Sequence, residues 1–220
     1  MRDEDFEAFI EEFGEAEDTL PIAATDIDRW HGKLPEALLQ YWREEGWGRY
    51  AQGRFWLVNP SDYTDILKAW LKDSPLEQID SFHVIARTGF GKLYLCGEKS
   101  GQSAVINGAT HAVFALPNAL KPKTPERRDL SIRVFLGVDQ DECDLDDEDG
   151  LPLFARAVQQ LGPLDADEVY GFEPALVVGG RMRLENLRRL KLDQHLTILR
   201  QLAAPSMPFS GEAVARLLNG

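Results

Sequence analysis

Histidine and cysteine are the residue types in this chain best suited to catalysis or metal binding. They occur at His31, His83, His111, His195, Cys96 and Cys143. No two histidines have the spacing of a metal pair on a helix, and the cysteines form no C-x-x-C motif. The sequence also lacks the G-x-S-x-G turn that presents a serine nucleophile. It therefore predicts a protein without enzyme activity, metal or cofactor.

The acidic run at residues 139–149 offers many carboxylates, but their spacing does not match a calcium loop. If Asp144 is loop position 1, an EF-hand needs glycine at position 6 and glutamate at position 12, where this chain has Asp149 and Ala155. Two explanations of the run remain: a solvated loop, or a patch that binds a basic partner.

The net charge of −13 is concentrated in two segments. Residues 2–18 and residues 139–149 each carry a net charge of −8, so the rest of the chain is +3. Such patches repel phosphates and attract basic proteins. We therefore predict a basic protein partner and no direct binding to nucleic acid. The predicted contact residues are Asp139, Asp141, Glu142, Asp144, Asp146, Asp147, Glu148 and Asp149, together with Glu7, Glu11 and Glu15.

The first half of the sequence has the periodicity of helices followed by an antiparallel meander. Apolar residues at helical spacing predict a helix over 3–13, and a proline start predicts another over 35–46. A strand is expected at 54–58, and Ser61 is expected to cap a third helix that ends near residue 71. Short apolar runs separated by glycine turns predict strands over 82–116.

The second half of the sequence predicts a mixture of helices and strands. Residues 117–128 are rich in proline and charge, which is typical of a linker. We expect strands at 131–138 and 172–178, and helices at 151–161 and 184–202. The last helix is basic as well as leucine-rich, so its cations are suited either to nucleic acid or to neutralising the acidic run.

These elements predict an α+β fold, in which N-terminal helices and an antiparallel meander carry a smaller mixed helix/strand C-terminal module. The predicted boundaries are 1–116 for the first domain, 117–129 for the linker, 130–204 for the C-terminal module and 205–220 for a tail of unknown role. Each half is small for independent stability, so we expect the two halves to pack as one unit.

The composition predicts a cytoplasmic protein that makes no membrane contact. The chain is 44% hydrophobic and begins with the acidic segment MRDEDFEAFIEEF. A membrane span needs about 20 consecutive apolar residues, and no run in the sequence approaches this length. The two cysteines agree with a reducing compartment.

Two sets of motifs in the chain resemble a known bacterial family. The first set is Leu34-Pro35, Tyr41-Trp42, Gly53-Arg54-Phe55, Asn59-Pro60 and Phe90-Gly91-Lys92-Leu93-Tyr94-Leu95. The second set is Leu161-Gly162, Tyr170-Gly171-Phe172, Pro174-Ala175-Leu176 and Gly179-Gly180. In this order they resemble a GAD-like domain followed by the C-terminal module of type VI secretion immunity proteins.

The resemblance implies a protein that binds and neutralises a cognate secreted DNase toxin. Inhibition is expected either by occlusion of the DNA-binding face of the nuclease or by distortion of its nuclease domain. Two alternatives stay open. One is a hydrolase-like enzyme with a dispersed active site, and the other is a nucleic-acid accessory protein that uses the basic segment 181–195.

Overall fold

A seven-stranded antiparallel sheet, with its strands in sequence order, lies at the centre of the protein. The structure is a computed structural model that describes residues 2–208. The strands of this sheet are β1 (Glu17–Leu20), β2 (Trp47–Tyr50), β3 (Phe55–Leu57), β4 (Phe82–Thr88), β5 (Lys92–Gly97), β6 (Gly101–Asn107) and β7 (Ala112–Ala115). A separate hairpin pairs β8 (Glu168–Phe172) with β9 (Leu187–Lys191).

Eight α-helices surround the sheet within residues 2–208. They are α1 (Glu4–Phe13), α2 (Ala24–Trp30), α3 (Glu36–Glu45), α4 (Thr64–Leu71), α5 (Leu76–Ile79), α6 (Pro125–Leu136), α7 (Phe154–Leu161) and α8 (Leu192–Leu202). Short 3-10 turns occupy Ala51–Gly53, Pro60–Tyr63, Asp141–Cys143, Leu176–Val178 and Leu184–Asn186. No helix in the described part of the chain is both long enough and apolar enough to cross a bilayer.

The central sheet is apolar on both faces. Successive side chains of a strand point to opposite faces. In β5, Leu93 and Leu95 enter one core, whereas Tyr94 and Cys96 enter the other. Both faces must therefore be covered by other elements, and the molecule has three layers.

The first covering layer consists of α1, α2, α3 and α6, and aromatic rings fill its contact with the sheet. The ring of Phe9 lies 4.7 Å from that of Phe13, 5.0 Å from Tyr50 and 5.3 Å from Phe55, measured between centroids. Asp3 caps α1 by accepting a hydrogen bond from the Phe6 backbone N–H at 3.0 Å. The predicted helix over 3–13 is confirmed.

The opposite layer consists of α4, α7, α8 and the β8–β9 hairpin. The indole Nε1 of Trp70 on α4 donates a 3.0 Å hydrogen bond to the carbonyl of Leu196 on α8. One continuous core joins side chains from both halves of the sequence. The predicted α+β class is confirmed, and the C-terminal module packs against the first half as expected.

The predicted strand at 131–138 is wrong, because this segment belongs to helix α6. The helix begins at Pro125, inside the predicted linker, where the missing N–H of proline leaves no bond unmade. Its buried residues Ile132, Phe135 and Leu136 recur at helical spacing, whereas Val134 is exposed. Branched side chains and a short length made this segment resemble a strand.

Three further local predictions differ from the structure. The strand expected at 172–178 lies instead at Glu168–Phe172, and the helix expected over 184–202 is a strand up to Lys191. The basic residues of that segment pair across the hairpin with acids of β8 and the loop before it, which favours the strand. Ser61 does not cap α4. Asn59 instead caps the 3-10 turn Pro60–Tyr63 that leads into α4, since its side chain accepts a hydrogen bond from the Ser61 N–H at 3.1 Å.

The other sequence-based elements agree with the structure. Helix α3 lies within the predicted 35–46, β3 lies within 54–58, and β4 to β7 form the predicted meander. The predicted tail 205–220 lies mostly outside the described residues. Up to Pro208 the tail runs beside β7, where the backbone carbonyl of Ser206 accepts a hydrogen bond from the Val113 N–H at 2.8 Å.

We predict that the two halves stay together after the connection between β7 and α6 is cut. A protease site introduced between Lys121 and Pro122 would separate the sequence there, but both halves contribute side chains to both cores. The fragments should therefore co-elute in size-exclusion chromatography without denaturant and separate in urea. Two fragments that separate in native buffer, each with its own cooperative melting transition, would contradict this prediction.

Candidate functional site

The acidic run connects the two layers that cover the sheet. Cys143 is buried in the core beneath α1, with its Sγ 3.8 Å from the hydroxyl of Tyr94. Ten residues later, Leu153 is buried in the core on the other side of the sheet. Immediately before Cys143 the chain passes Lys92, whose Nζ donates to the carbonyl of Glu142 at 2.7 Å. Residues 139–149 therefore form a crossover around the strand ends, and we call them the acidic crossover.

Asp144 has a structural role within the acidic crossover. Its side chain is 5% exposed, and Oδ1 accepts from the backbone N–H groups of Leu145 at 2.7 Å and Phe154 at 2.8 Å. Its second oxygen lies 3.6 Å from the guanidinium of Arg54. The carboxylate thus stabilises the start of α7, where orphan N–H groups favour an anion.

Asp147 and Glu148 are also paired inside the molecule. Asp147 is 5% exposed and accepts from Arg156 Nη1 at 2.6 Å, and this bond holds the pKa of Asp147 below its usual range. Glu148 accepts from Arg181 Nε at 2.9 Å and Arg183 Nε at 2.8 Å. These two guanidinium groups lower the pKa of Glu148.

The remaining acids of the crossover are available to a partner. Asp141, Glu142, Asp146 and Asp149 are exposed, and none forms an ion pair with a basic side chain of residues 2–208. Asp139 is also exposed, and its Oδ1 accepts from the Glu142 N–H at 2.8 Å. The structure therefore divides the eight predicted contact acids into three with internal partners and five on the surface.

The two acidic segments of the sequence meet in space. The backbone N–H of Gln140 in the crossover donates to Glu12 Oε1 of α1 at 3.0 Å. Glu7 and Glu11, one turn apart on α1, are exposed. Glu15 is paired with Arg2 at 2.6 Å, which lowers the pKa of Glu15. We use the name acidic face for the exposed acids of these two segments, which are Glu7, Glu11 and Glu12 of α1 and Asp139, Asp141 and Glu142 of the crossover.

The basic segment near the C-terminus is neutralised within the fold. Arg181 and Arg183 pair with Glu148 of the crossover. Arg188 lies 3.8 Å from Glu173, Arg189 pairs with Glu168, and Lys191 lies 2.8 Å from Asp167. These cations are therefore not a free patch for phosphates.

A cleft of about 520 Å³ lies at the junction of the two halves. Its walls come from β2, β3 and the start of α4 on one side, and from the loop 164–167 and the start of α8 on the other. The lining is apolar in the middle, with Trp56, Tyr63, Ile66, Leu164 and Leu192 buried there. The exposed rim carries Asp18, Asp62, Asp165, Asp167 and Asp193. We call this feature the interdomain cleft.

Arg87 of β4 holds the loop that forms one wall of this cleft. Its side chain is fully buried, and Nη2 donates to the Ala166 carbonyl at 2.8 Å. Its guanidinium carbon lies 4.3 Å from the centroid of the Trp56 ring. No acidic side chain among residues 2–208 forms an ion pair with Arg87, and burial lowers its pKa. A cation–π contact and a carbonyl thus take the place of a carboxylate.

Sequence analysis missed both the interdomain cleft and Arg87. A single arginine within the apolar strand FHVIART was the available signal, since a charged residue in a buried strand requires a specific partner. The partner is a backbone carbonyl 79 residues away, which no side-chain pattern encodes.

The histidines occupy separate environments. His83 Nε2 lies 2.9 Å from Glu98, and His111 Nε2 lies 3.0 Å from the Ala203 carbonyl. Burial lowers the pKa of His195 to about 4. Within the described residues, no three His, Cys, Asp or Glu side chains are grouped so that they could hold a metal ion.

Comparison with known proteins supports the architecture expected from the sequence. Residues 4–110 match the GAD-like domain, and residues 129–203 match the C-terminal domain of the T6SS immunity protein Tdi1. The chain is also similar to the crystal structure of Atu4351 from Agrobacterium tumefaciens, with 27% sequence identity and a TM-score of 0.78. That similarity covers 90% of this chain and 89% of the other. A search of curated proteins found no match.

Replacement of Arg87 tests how its buried guanidinium group affects the free energy of unfolding. Arg87→Lys should lower the free energy of unfolding by about 2–4 kcal/mol, because a compact ammonium is costly to bury and lacks the planar group that stacks on Trp56. Arg87→Met should cost less, since it removes the charge and keeps most of the side-chain volume. Urea denaturation measures both. A methionine variant less stable than the lysine variant would contradict this account.

Acid should remove the contribution of Asp147 to stability. Its pKa is depressed in the folded state, so the stabilisation is present at neutral pH and is lost as pH falls through the folded pKa. Asp147→Asn should therefore be less stable than the natural chain at pH 7, and the difference should shrink at pH 3. Asp146→Asn, at an exposed neighbour, is the matched control and should change stability at neither pH. A difference for Asp147→Asn that is equal at both pH values would rule out this role.

Proposed function

We propose that this chain, in which a GAD-like domain is followed by a Tdi1 C-terminal domain, is a type VI secretion immunity protein that binds and neutralises a cognate secreted DNase. It acts as a stoichiometric inhibitor in the cytoplasm of the cell that it protects. No reaction is catalysed, and no nucleic acid, metal or cofactor takes part.

The acidic face is the observation that carries this proposal. Two segments separated by more than a hundred residues meet at the contact between Glu12 and Gln140. Their exposed carboxylates form no ion pair with basic side chains of residues 2–208, so both segments present unpaired negative charge to solvent. A nuclease must present lysine and arginine to the DNA backbone. The acidic face offers those cations an alternative set of anions.

This complementarity supports occlusion as the inhibitory mechanism. Carboxylates that occupy the phosphate-binding surface of the DNase compete directly with DNA. They need not reach its catalytic residues. Charge complementarity also speeds encounter between the partners, by about 10- to 1,000-fold at low salt. Rapid capture suits an immunity protein, because the toxin has to be bound before it cleaves DNA.

The pairing of the basic segment supports a protein partner over a nucleic acid. Arg181, Arg183, Arg189 and Lys191 all pair with acids of the same molecule. DNA would have to displace those carboxylates and approach a chain of net charge −13. The nucleic-acid accessory function therefore receives no support from the fold.

Neutralising the acidic face should slow association with the DNase. The variant Glu7→Gln, Glu11→Gln, Asp141→Asn and Glu142→Gln removes four exposed charges that lack an ion pair within residues 2–208. We expect an association rate about tenfold lower at low salt, with a weaker dependence on ionic strength and a smaller change in dissociation. Biolayer interferometry at several salt concentrations, with the proposed cognate DNase in a catalytically inactivated form, measures these rates.

The matched control neutralises acids on other surfaces. Asp28 on α2 and Asp65 on α4 are exposed and form no ion pair with described residues. Asp28→Asn with Asp65→Asn should leave both rates nearly unchanged. Equal salt dependence for the control and the acidic-face variant would rule out capture through this face. A natural chain that neither binds nor inhibits the DNase would overturn the proposed function itself.

A further inference from the structure

We propose that the interdomain cleft is a second contact site for the same DNase, which inserts a segment that carries a lysine or arginine beside an apolar side chain. This inference rests on the proposed function and extends it to a surface distinct from the acidic face. The cleft and the acidic face carry different chemistry, and each can be altered without the other.

The rim of the cleft favours a cation. Asp18 is bound to Arg49 at 2.6 Å, and Asp167 is bound to Lys191 at 2.8 Å. Asp62 and Asp193 differ, because both are exposed and neither forms an ion pair with a basic side chain of residues 2–208. They stand on opposite walls, one before α4 and the other in the first turn of α8. A cation that enters the cleft therefore meets an unpaired carboxylate on each wall.

The centre of the cleft favours an apolar group beside that cation. Its floor is formed by buried rings and branched side chains, including Tyr63, Ile66 and Leu164. At the rim, Leu20 is 64% exposed and adds apolar surface that a partner can contact. A volume of about 520 Å³ accommodates a few side chains of a partner.

Charge distinguishes a basic protein from other occupants. A second copy of this chain would bring a further net charge of −13 to an acidic rim. A nucleic acid would bring phosphates to the same carboxylates. A basic nuclease matches the rim, and its apolar side chains match the floor. The walls are held in place by the contact between Arg87 and the Ala166 carbonyl, so the cleft is formed before the partner arrives.

Two kinds of variant test the cleft in the full-length chain. Asp62→Asn with Asp193→Asn removes the unpaired rim charges, and Ala166→Trp fills the cleft with a ring. The probe is the proposed cognate DNase in a catalytically inactivated form, and the readout is its dissociation rate. Because a cation enclosed by carboxylates and apolar walls is largely desolvated, we expect each variant to weaken binding by roughly thirtyfold or more, mainly through faster dissociation.

Controls separate this inference from the proposed function. Asp28→Asn with Asp65→Asn again removes two exposed acids outside the cleft, and thermal melting of every variant checks that the fold is intact. If the cleft variants associate more slowly but dissociate at the normal rate, the cleft residues only attract the DNase electrostatically before contact. This result would overturn the inference. Binding that is unchanged in both variants would also overturn this inference. The same holds if the natural chain forms a dimer that either variant dissociates. In each of these cases DNase inhibition by the natural chain would leave the proposed function standing, whereas a natural chain that does not bind the DNase would overturn both.

Discussion

Burial of both faces of the central sheet is the constraint on which the rest of the structure depends. Strands β4 and β5 place large apolar side chains alternately on either side, so neither face can remain open to water. Helices α1, α2 and α3 cover one face, and α4 covers only part of the other. Helix α6 joins the first three helices, and the chain must then cross the strand ends before α7, the hairpin and α8 can cover the rest of the other face. The acidic crossover exists because of that topological requirement.

This requirement explains why some acids of the crossover are buried and others are free. Where a segment passes from one core to the other, its backbone N–H and C=O groups need hydrogen-bond partners. Asp144 supplies acceptors at the start of α7, and Asp147 binds Arg156. Glu148 pairs with Arg181 and Arg183, and the remaining acids of the crossover face solvent without an ion pair to any residue of 2–208. Internally paired and solvent-exposed carboxylates therefore alternate along one short segment, which composition alone presents as a uniform patch.

Contacts between distant residues also determine the structure of the junction between the two halves. A continuous core makes the two halves one unit, yet loop 164–167 approaches the sheet through Arg87 and leaves the interdomain cleft beside it. A guanidinium can do this because it stacks on Trp56 while it donates to a carbonyl. The result is a preformed concave surface built from both domains. Such a surface is available to a partner only while the domains remain packed together.

The sequence by itself determined the α+β class, the helix at α1, the antiparallel meander, the order of the two family modules and the concentration of negative charge. Those features depend on local periodicity, turn residues and composition, which can be read directly from the sequence. The tertiary structure alone decided that residues 131–136 form a helix, that 187–191 form a strand, and that the two acidic segments meet at Glu12 and Gln140. It also decided which carboxylates are internal and where the cleft lies. These features depend on contacts between residues far apart in sequence, and short amphipathic segments take the conformation that buries their apolar side chains best.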